Sequence, residues 1–529
     1  MMNNQKLAHW ADQTAEKIIR ERGDLDLYTC ASGITPSGVV HIGNFREIIS
    51  VELVVRALKA RGKNVRFIYS WDDYDVFRKV PKNMPQPELL EKYLRFPITM
   101  VPDPYGRDES YARHHEVDVE SILPVVGIFP EFLYQADRYR SGMYAEGIKT
   151  ALNKKEKIKE CLNVHRDEQH KIPDSEEYWP VSVFCANCNR DTTRIESWDG
   201  DWNLSYSCDC GYSETVDLRK PNGVKLGWRI DWPMRWEREK VMFEPAGKDH
   251  HSQGGSFDTA RLVAKEIYNW EAPVTFRYDF IGIKGSAGKI SSSSGEVIAL
   301  QDVLRVYQPE ITRYLFAGTR PNTEFVISFD LDVIKIYEDY DKTERIAWGA
   351  ERAKNDEVLE KEKRIYELSQ VSGMPECISY QIPFRHLCNL LQINDGNIEA
   401  VISGLPDVQA GQIERLKTRA ACAWYWITEC APDDFRFSLR PEGEKAGISG
   451  AALNALMKIR NDLLPRLDEL DEKAVSQVTY DIAAACGIEP KELFTATYQA
   501  LIGKDQGPRL ASFMKIIGKD RLEKILSAY

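Results

Sequence analysis

The sequence predicts a split α/β domain, interrupted by a cysteine-bearing insertion and followed by an all-α C-terminal region. Three observations predict it. A strand, a glycine-rich turn, a helix and a second strand follow one another over residues 27–70. Strand-like and glycine-rich pieces resume only after about residue 225. From about residue 302 onward, apolar residues recur at helical spacing. The length of 529 residues and 60.6 kDa suits three or four domains rather than one core.

Taken in order, Gln5 to Arg22 carries apolar residues at helical spacing and is closed by Gly23. Leu27 to Ser32 reads as a short buried strand and GITPSG as a turn. A long amphipathic helix follows from His41 to Ala60, ending before Gly62, and Asn64 to Ser70 is a second strand. A nucleotide is expected at the first strand-to-helix junction of such a βαβ unit. Val76 to Pro221, rich in Pro, Asp and aromatics, reads as the insertion. KLGWRIDW and PVTFRYDFIGI, between Lys225 and Leu300, are strand-like and suit the second half of the sheet. Val408–Cys430, Ser449–Leu470, Glu472–Cys486 and Pro508–Leu526 are the expected C-terminal helices.

Composition narrows the function classes. Hydrophobic residues at 43% and charged residues at 29% rule out a disordered, collagenous or disulfide-stapled chain. Lys plus Arg number 70 against 81 Asp plus Glu, so a net charge of −11 excludes a globally basic nucleic-acid binder but not one with local basic patches. The 11 scattered cysteines argue for a reducing, cytoplasmic setting. No apolar run approaches the ~18 residues of a membrane span, and the charged N-terminus lacks the apolar core of a secretory signal.

Two segments have the chemistry of phosphate binding. In Ser32–Asn44 (SGITPSGVVHIGN), Gly33 and Gly38 permit a tight turn, and His41, Gly43 and Asn44 open a helix whose free N–H groups favour an anion. Gly43, lacking a Cβ, would let a flat base lie against the turn. In Gly285–Gly295 (GSAGKISSSSG), Lys289 and the hydroxyls of Ser291 and Ser292 sit on a glycine-flanked loop able to neutralise a leaving pyrophosphate, or to serve as a plain linker. Acidic and aromatic groups crowd the predicted strand ends: Asp72, Asp73 and Asp75; Trp228, Asp231 and Trp232; Asp249, His250 and His251. That load favours a cationic ligand over an acidic one; core packing for the tryptophans and a turn for the aspartates are the structural alternatives. Gly254, Gly255 and Ser256 form another close-approach turn.

Cys185-x2-Cys188 and, after nineteen intervening residues, Cys208-x-Cys210 make two close pairs suited to tetrahedral zinc with no open position, hence a structural rather than catalytic ion. Near the C-terminus, Arg415, Lys417 and Arg419 precede Trp424, Tyr425 and Trp426, and Lys504, Arg509, Lys515, Lys519 and Arg521 form a basic patch. These can stack bases and track phosphates, or serve as helix core and solvated surface.

His41-Ile42-Gly43-Asn44 resembles the HIGH signature of class I aminoacyl-tRNA synthetases, and Lys289-Ile290-Ser291-Ser292-Ser293 resembles their KMSKS loop. With WDDYDVFRKVP, KLGWRIDWPMRW, GKDHHS and LIGKDQGPRLASFMKIIG, the pattern resembles class I lysyl-tRNA synthetases, the archaeal-type form found also in some bacteria. Ser292 and Ser294 depart from it, one of the two positions usually holding a second lysine. The resemblance implies a Rossmann-like class I synthetase catalytic domain over 1–75 and 223–301 and a connective insertion with a four-cysteine zinc site over 76–222, near the tRNA acceptor end. A stem-contact region follows at 302–365 and a helical anticodon-binding domain at 366–529. It implies ATP with Mg²⁺ at His41, Gly43, Asn44, Gly254, Lys289, Ser291 and Ser292, with His41, Asn44 and Lys289 catalytic. It implies L-lysine at Gly33, Thr35, Asp73, Trp228, Asp231, His250 and Tyr278, structural Zn²⁺ on the four cysteines, tRNA(Lys) as second substrate, a cytoplasmic monomer and no membrane. The alternatives are a tRNA-binding paralogue with impaired catalysis and a class I synthetase for another amino acid.

Overall fold

The structure, a computed structural model, describes residues 8–82, 84–284 and 297–529. Lys289, Ser291 and Ser292 therefore lie outside the described residues. The chain divides into two units, one of Met1–Val303, Pro309–Ile327 and Thr343–Pro375, the other of Leu304–Gln308, Ser328–Lys342 and Glu376–Tyr529. The stretch 302–365 contributes to both.

In the first unit, α1 (Trp10–Arg22), β1 (Tyr28–Ile34), α2 (Ile42–Lys59) and β2 (Val65–Trp71) follow the expected order. β1 and β2 pair in parallel from Tyr28–Val65 to Ile34–Trp71. β1 is buried over Tyr28–Ser32, as a parallel strand covered on both faces should be. α2 is buried along most of its length, and two of its buried charges, Arg46 and Glu52, are matched. Arg46 donates to the carbonyls of Asp279 (2.7 Å), Phe280 (3.1 Å), Arg320 (3.0 Å) and Thr323 (2.7 Å). Glu52 accepts from the buried Arg313 at 2.6 Å. Strand β3 (Glu131–Tyr134) adds in parallel beside β2, and Val241–Phe243 adds in parallel beside β1. The chain order thus reverses between β1 and Val241–Phe243, which is where an open α/β sheet leaves a crevice at its carboxyl ends.

Two expectations change. β3 lies inside the stretch read as an insertion; its four residues are too few to show a period. KLGWRIDW, read as strand-like, is strand only at its start, in Val224–Leu226, and from Trp228 belongs to the helix Trp228–Glu239. Ile230 to Trp236 are all buried, so burial on every side hides the 3.6-residue period. Trp228, Trp232 and Trp236 instead meet at successive i,i+4 steps, the first pair stacked and the second tilted, with ring centroids 5.2 and 4.8 Å apart. The PVTFRYDFIGI segment yields only the short strands Arg277–Tyr278 and Ile281–Ile283, the latter pairing in parallel with Phe325–Ile327.

The cysteine-bearing part of the insertion is an antiparallel three-stranded ribbon, Thr193–Trp198, Asn203–Cys208 and Ser213–Asp217. In the second unit the predicted helices appear with breaks. Pro508–Leu526 becomes Leu510–Ile517 and Lys519–Leu526, interrupted by Gly518 at φ +84°. Trp426 is fully buried, its indole N–H donating to the Phe329 carbonyl at 2.9 Å. Arg419 is held bidentately by Asp341 at 2.8 and 2.7 Å. These two residues of the 415–426 stretch are core, not a nucleic-acid surface. No helix among the described residues is long and apolar enough to cross a membrane.

Candidate active site

A cavity of about 330 Å³ opens at the carboxyl ends of the central strands, lined by Ala31–Ile34 of β1 and Thr35 after it, Ser70 of β2 and Asp72 beyond it, Glu244–Ala246 beyond Val241–Phe243, and the tryptophan helix. It occupies the switch point that the strand order defines. Gly33 is required there: a Cβ would stand 2.7 Å from the Ser70 carbonyl oxygen.

Five carboxylates line this cavity, and they fall into two kinds. Asp72 is paired with Arg235 (2.5 Å), Asp75 with Lys225 (2.7 Å) and Glu239 with Arg66 (2.8 Å). Glu47 and Glu244 form no ion pair among the described residues. Glu47 accepts from the Ser32 hydroxyl (2.8 Å), the Gly33 N–H (3.2 Å) and the Tyr278 hydroxyl. Glu244 accepts from the indoles of Trp232 (3.0 Å) and Trp236 (2.6 Å). Desolvation pushes the Glu47 carboxyl above its ordinary range and that of Glu244 up to about 7, only partly opposed by those hydrogen bonds. Such a pair lowers its free energy when a cation arrives.

The predicted site residues sort themselves around this cavity. Gly33, Thr35, Trp228 and His250 line it. Thr35 donates to Asp75 at 2.8 Å, and His250 Nδ1 lies 2.7 Å from the Ser256 hydroxyl. Tyr278 acts from behind, through Glu47. Asp231 does not line the cavity; it anchors Arg235 at 3.1 Å and accepts from the Tyr139 hydroxyl. Asp73 is set apart as well. It is buried and caps the helix Gln135–Arg140 by accepting from the Ala136 N–H at 2.8 Å, and burial pushes it up to about 8. Gly254 turns the following loop at φ +70° without lining the cavity. Glu47, Glu244 and Arg235 were not among the expected residues. For Glu47 the available signal was a carboxylate flanked by the buried Phe45, Arg46 and Ile48 of α2.

His41 is the N-cap of α2. Its Nδ1 accepts from the Asn44 N–H (3.3 Å), and its own N–H donates to Asn44 Oδ1 (3.2 Å), a reciprocal capping box. A neutral ring that accepts at Nδ1 carries its proton on Nε2, so His41 is a donor there. A Cβ at Gly43 would lie 2.9 Å from the His41 ring, so the glycine makes room for the histidine. The chain leaving the Lys289 segment returns to this same turn. The Ile42 N–H donates to the Ile298 carbonyl at 2.8 Å, and His41 bridges Ala299.

In the ribbon, the sulfurs of Cys185 and Cys210 are 3.8 Å apart and those of Cys188 and Cys208 3.6 Å, with all four within 4.8 Å of one another. A tetrahedral site with metal–sulfur bonds of ~2.3 Å has edges of about 3.8 Å. Asn189 (φ 59°) and Gly211 (φ 87°), each directly after a cysteine pair, turn both pairs toward one point. The cluster fits a metal ion. None of the 11 cysteines is in a disulfide.

A switch-point cavity beside a histidine-capped helix, in a chain with a helical C-terminal unit, is the arrangement of a class I tRNA synthetase. The family model described as tRNA synthetases class I (K) matches residues 8–372, and an anticodon binding domain model matches 441–528. Among curated relatives, the lysine–tRNA ligase of Treponema pallidum is 61% identical over 526 residues, covering 99% of both chains. That of Borreliella burgdorferi is 54% identical, over 99% of this chain and 100% of the relative. That of Thermococcus kodakarensis is 43% identical, over 98% and 99%. The chain belongs to the class I lysine–tRNA ligase family.

Proposed function

We propose that the chain is a lysine–tRNA ligase. It activates L-lysine with ATP to lysyl-adenylate, releasing pyrophosphate, and passes the lysyl group to the 3′-terminal ribose of tRNA(Lys), releasing AMP. The observation that carries the choice of amino acid is the pair Glu47 and Glu244, two cavity carboxylates with hydrogen-bond donors but no cationic partner among the described residues. An ε-ammonium supplies that partner.

The lysine carboxylate attacks the α-phosphate in line. His41 donates through Nε2 to an α-phosphate oxygen, and Asn44 adds its side-chain amide. Lys289, in the stretch of sequence preceding Ile298, whose carbonyl accepts from the Ile42 N–H beside His41, meets the charge developing on the leaving pyrophosphate. Mg²⁺ bound with ATP supplies further charge neutralisation. No protein nucleophile is needed; the residues position and stabilise. Trp228 and His250 close the cavity over the substrate, Thr35 and Asp75 frame its mouth, and Arg235 fixes Asp72. The enzyme works as a cytoplasmic monomer. ATP–pyrophosphate exchange across the standard amino acids, with and without tRNA, tests the reading. Exchange with lysine alone is expected. Exchange with another amino acid, or none under either condition, would remove it.

The four cysteines hold one structural zinc, which stabilises a ribbon too small to build a core of its own. Chelation is expected to release about one zinc per chain and to expose the ribbon's backbone amides to hydrogen exchange before the rest of the fold. A metal-free protein with unchanged ribbon protection would contradict this.

A further inference from the structure

The first unit contains another cavity, of about 430 Å³, that the catalytic reading does not use. Alternation along two segments places it. Leu133, in β3, lines the active-site cavity, and Tyr134 after it lines the other. Asp72 and Asp73, just beyond β2, divide in the same way. Successive side chains of an extended segment point to opposite sides, so the two cavities share a wall about one backbone thick. No described residue lines both.

Its depth is acidic. Asp73 and Glu116 line it at 3% and 2% exposure. Desolvation pushes the Asp73 carboxyl up to about 8 and that of Glu116 up to about 7, and Glu116 stands near enough to raise Asp73 further. One oxygen of Glu116 meets Arg113 at 3.1 Å, but Arg113 is shared with Glu120 at 2.7 Å. The other oxygen, Oε1, is buried with no hydrogen-bond partner among the described residues. Glu109 and Asp137 stand at the exposed rim; neither they nor Asp73 form an ion pair among the described residues. Arg140 has the opposite lack. It donates to the Thr99 hydroxyl at 2.9 Å and lies 5.1 Å from the centroid of the Tyr74 ring, with no carboxylate in ion-pair distance among the described residues.

The ligand that satisfies this lining carries two cationic groups and one anionic group. A bare divalent metal does not fit: among the described residues no three of these carboxylates converge within 4.8 Å, and Arg140 would repel the ion. A basic amino acid fits, with an ammonium at each end and a carboxylate beside one of them. Going beyond the ligase reading, which supplies only the choice of lysine among such amino acids, we infer that this cavity is a second site for a basic amino acid, across one wall from the catalytic one. The side-chain ammonium enters toward Asp73 and the free oxygen of Glu116, the carboxylate meets Arg140, and the α-ammonium stays at the rim with Asp137 and Glu109.

Equilibrium dialysis of the full-length protein against radiolabelled L-lysine, without ATP or tRNA, reads both sites, and about two lysines per chain are expected. Glu116→Gln and Arg140→Gln are each expected to weaken one of them about tenfold while the kcat of pyrophosphate exchange stays within about twofold; Glu47→Gln weakens the other. The lysine that each variant retains shows that it is folded. Cadaverine, which is lysine without its carboxylate, is expected to compete about tenfold less well than ornithine at the second site, a difference that Arg140→Gln should abolish. A single lysine per chain, two lysines that neither Glu116→Gln nor Arg140→Gln disturbs, or equal competition by cadaverine and ornithine would overturn the second site and, with exchange intact, leave the ligase reading standing. Displacement of the second lysine by Mg²⁺ alone would give the cavity to a metal ion instead. Lysine held through Glu116 and Arg140 in a protein without lysine-dependent exchange would keep the second site and remove the ligase reading.

Discussion

The two cavities share a wall and differ in what they leave unmatched. At the carboxyl ends of the sheet, Glu47 and Glu244 face inward with donors but no cation. Across the wall, Asp73 and Glu109 lack a cation and Arg140 lacks a carboxylate among the described residues, so both signs stand open. The net charge of −11 describes neither place. Asp72, Asp75 and Glu239 add three negative charges to the first cavity and say little about its ligand, because Arg235, Lys225 and Arg66 already neutralise them. Charges that the fold leaves unmatched identify a ligand's sign better than the charges a sequence contains.

The sharpest way to break the comparison is to remove the cation that the catalytic cavity lacks. A cavity with two unmatched carboxylates repels a triphosphate, so the catalytic reading needs Lys289. Lys289→Ala is expected to slow lysine-dependent pyrophosphate exchange by about 10²–10³, a loss of roughly 2–4 kcal/mol of transition-state stabilisation. An exchange rate equal to wild type would mean that another group, such as Lys284, meets the pyrophosphate. Next in size is Glu47→Gln, which keeps the shape and removes the charge. The KM for lysine is expected to rise roughly 10–100-fold, the range of a charge-assisted hydrogen bond lost from a shielded site, while the KM for ATP stays within a few-fold. Steady-state kinetics in which lysine and ATP are affected equally would show that Glu47 supports the fold of the site rather than the ammonium.

Much of the catalytic unit was legible because its signals are local. The glycine turn, the His41 cap and the two flanking strands lie within about one βαβ unit, and each is written in turn and cap chemistry. The cysteine ribbon was legible for the same reason. What was not legible depends on direction and on partners distant in sequence. Asp72 and Asp73 are neighbours, yet one faces the cavity and the other caps a helix at Gln135. Glu244 becomes a site residue only because Trp232 and Trp236 come from a helix whose all-round burial erases its period. Asp231 has the right charge in the right segment, but Arg235, four residues on, takes it. In the second unit the aromatic run at 424–426 was the more visible feature, and its Trp426 is core.

The smallest expected effect is a titration of the catalytic cavity. Burial holds the Glu47 carboxyl above its usual range and that of Glu244 up to about 7, while a lysine ε-ammonium stays charged throughout. Below about pH 7 a growing share of the Glu244 carboxyl is protonated and offers no charge to the ammonium, and burial shifts Glu47 in the same direction. The KM for lysine is therefore expected to fall a few-fold as pH rises from about 6 to 8, then level off. The sign for folding is the reverse. A carboxyl whose folded value exceeds its ordinary 4.5 keeps its proton longer in the folded chain, so Glu244 costs stability as pH rises between 4.5 and about 7. The same pH range would thus tighten lysine binding and slightly loosen the unliganded protein, and saturating lysine should cancel the second effect by stabilising the ionised pair. Thermal melts with and without lysine across that range check both signs at once. A lysine-induced rise in Tm that does not grow with pH would mean that the two carboxyls are already ionised without substrate, and the unmatched-charge account of the catalytic cavity would fail.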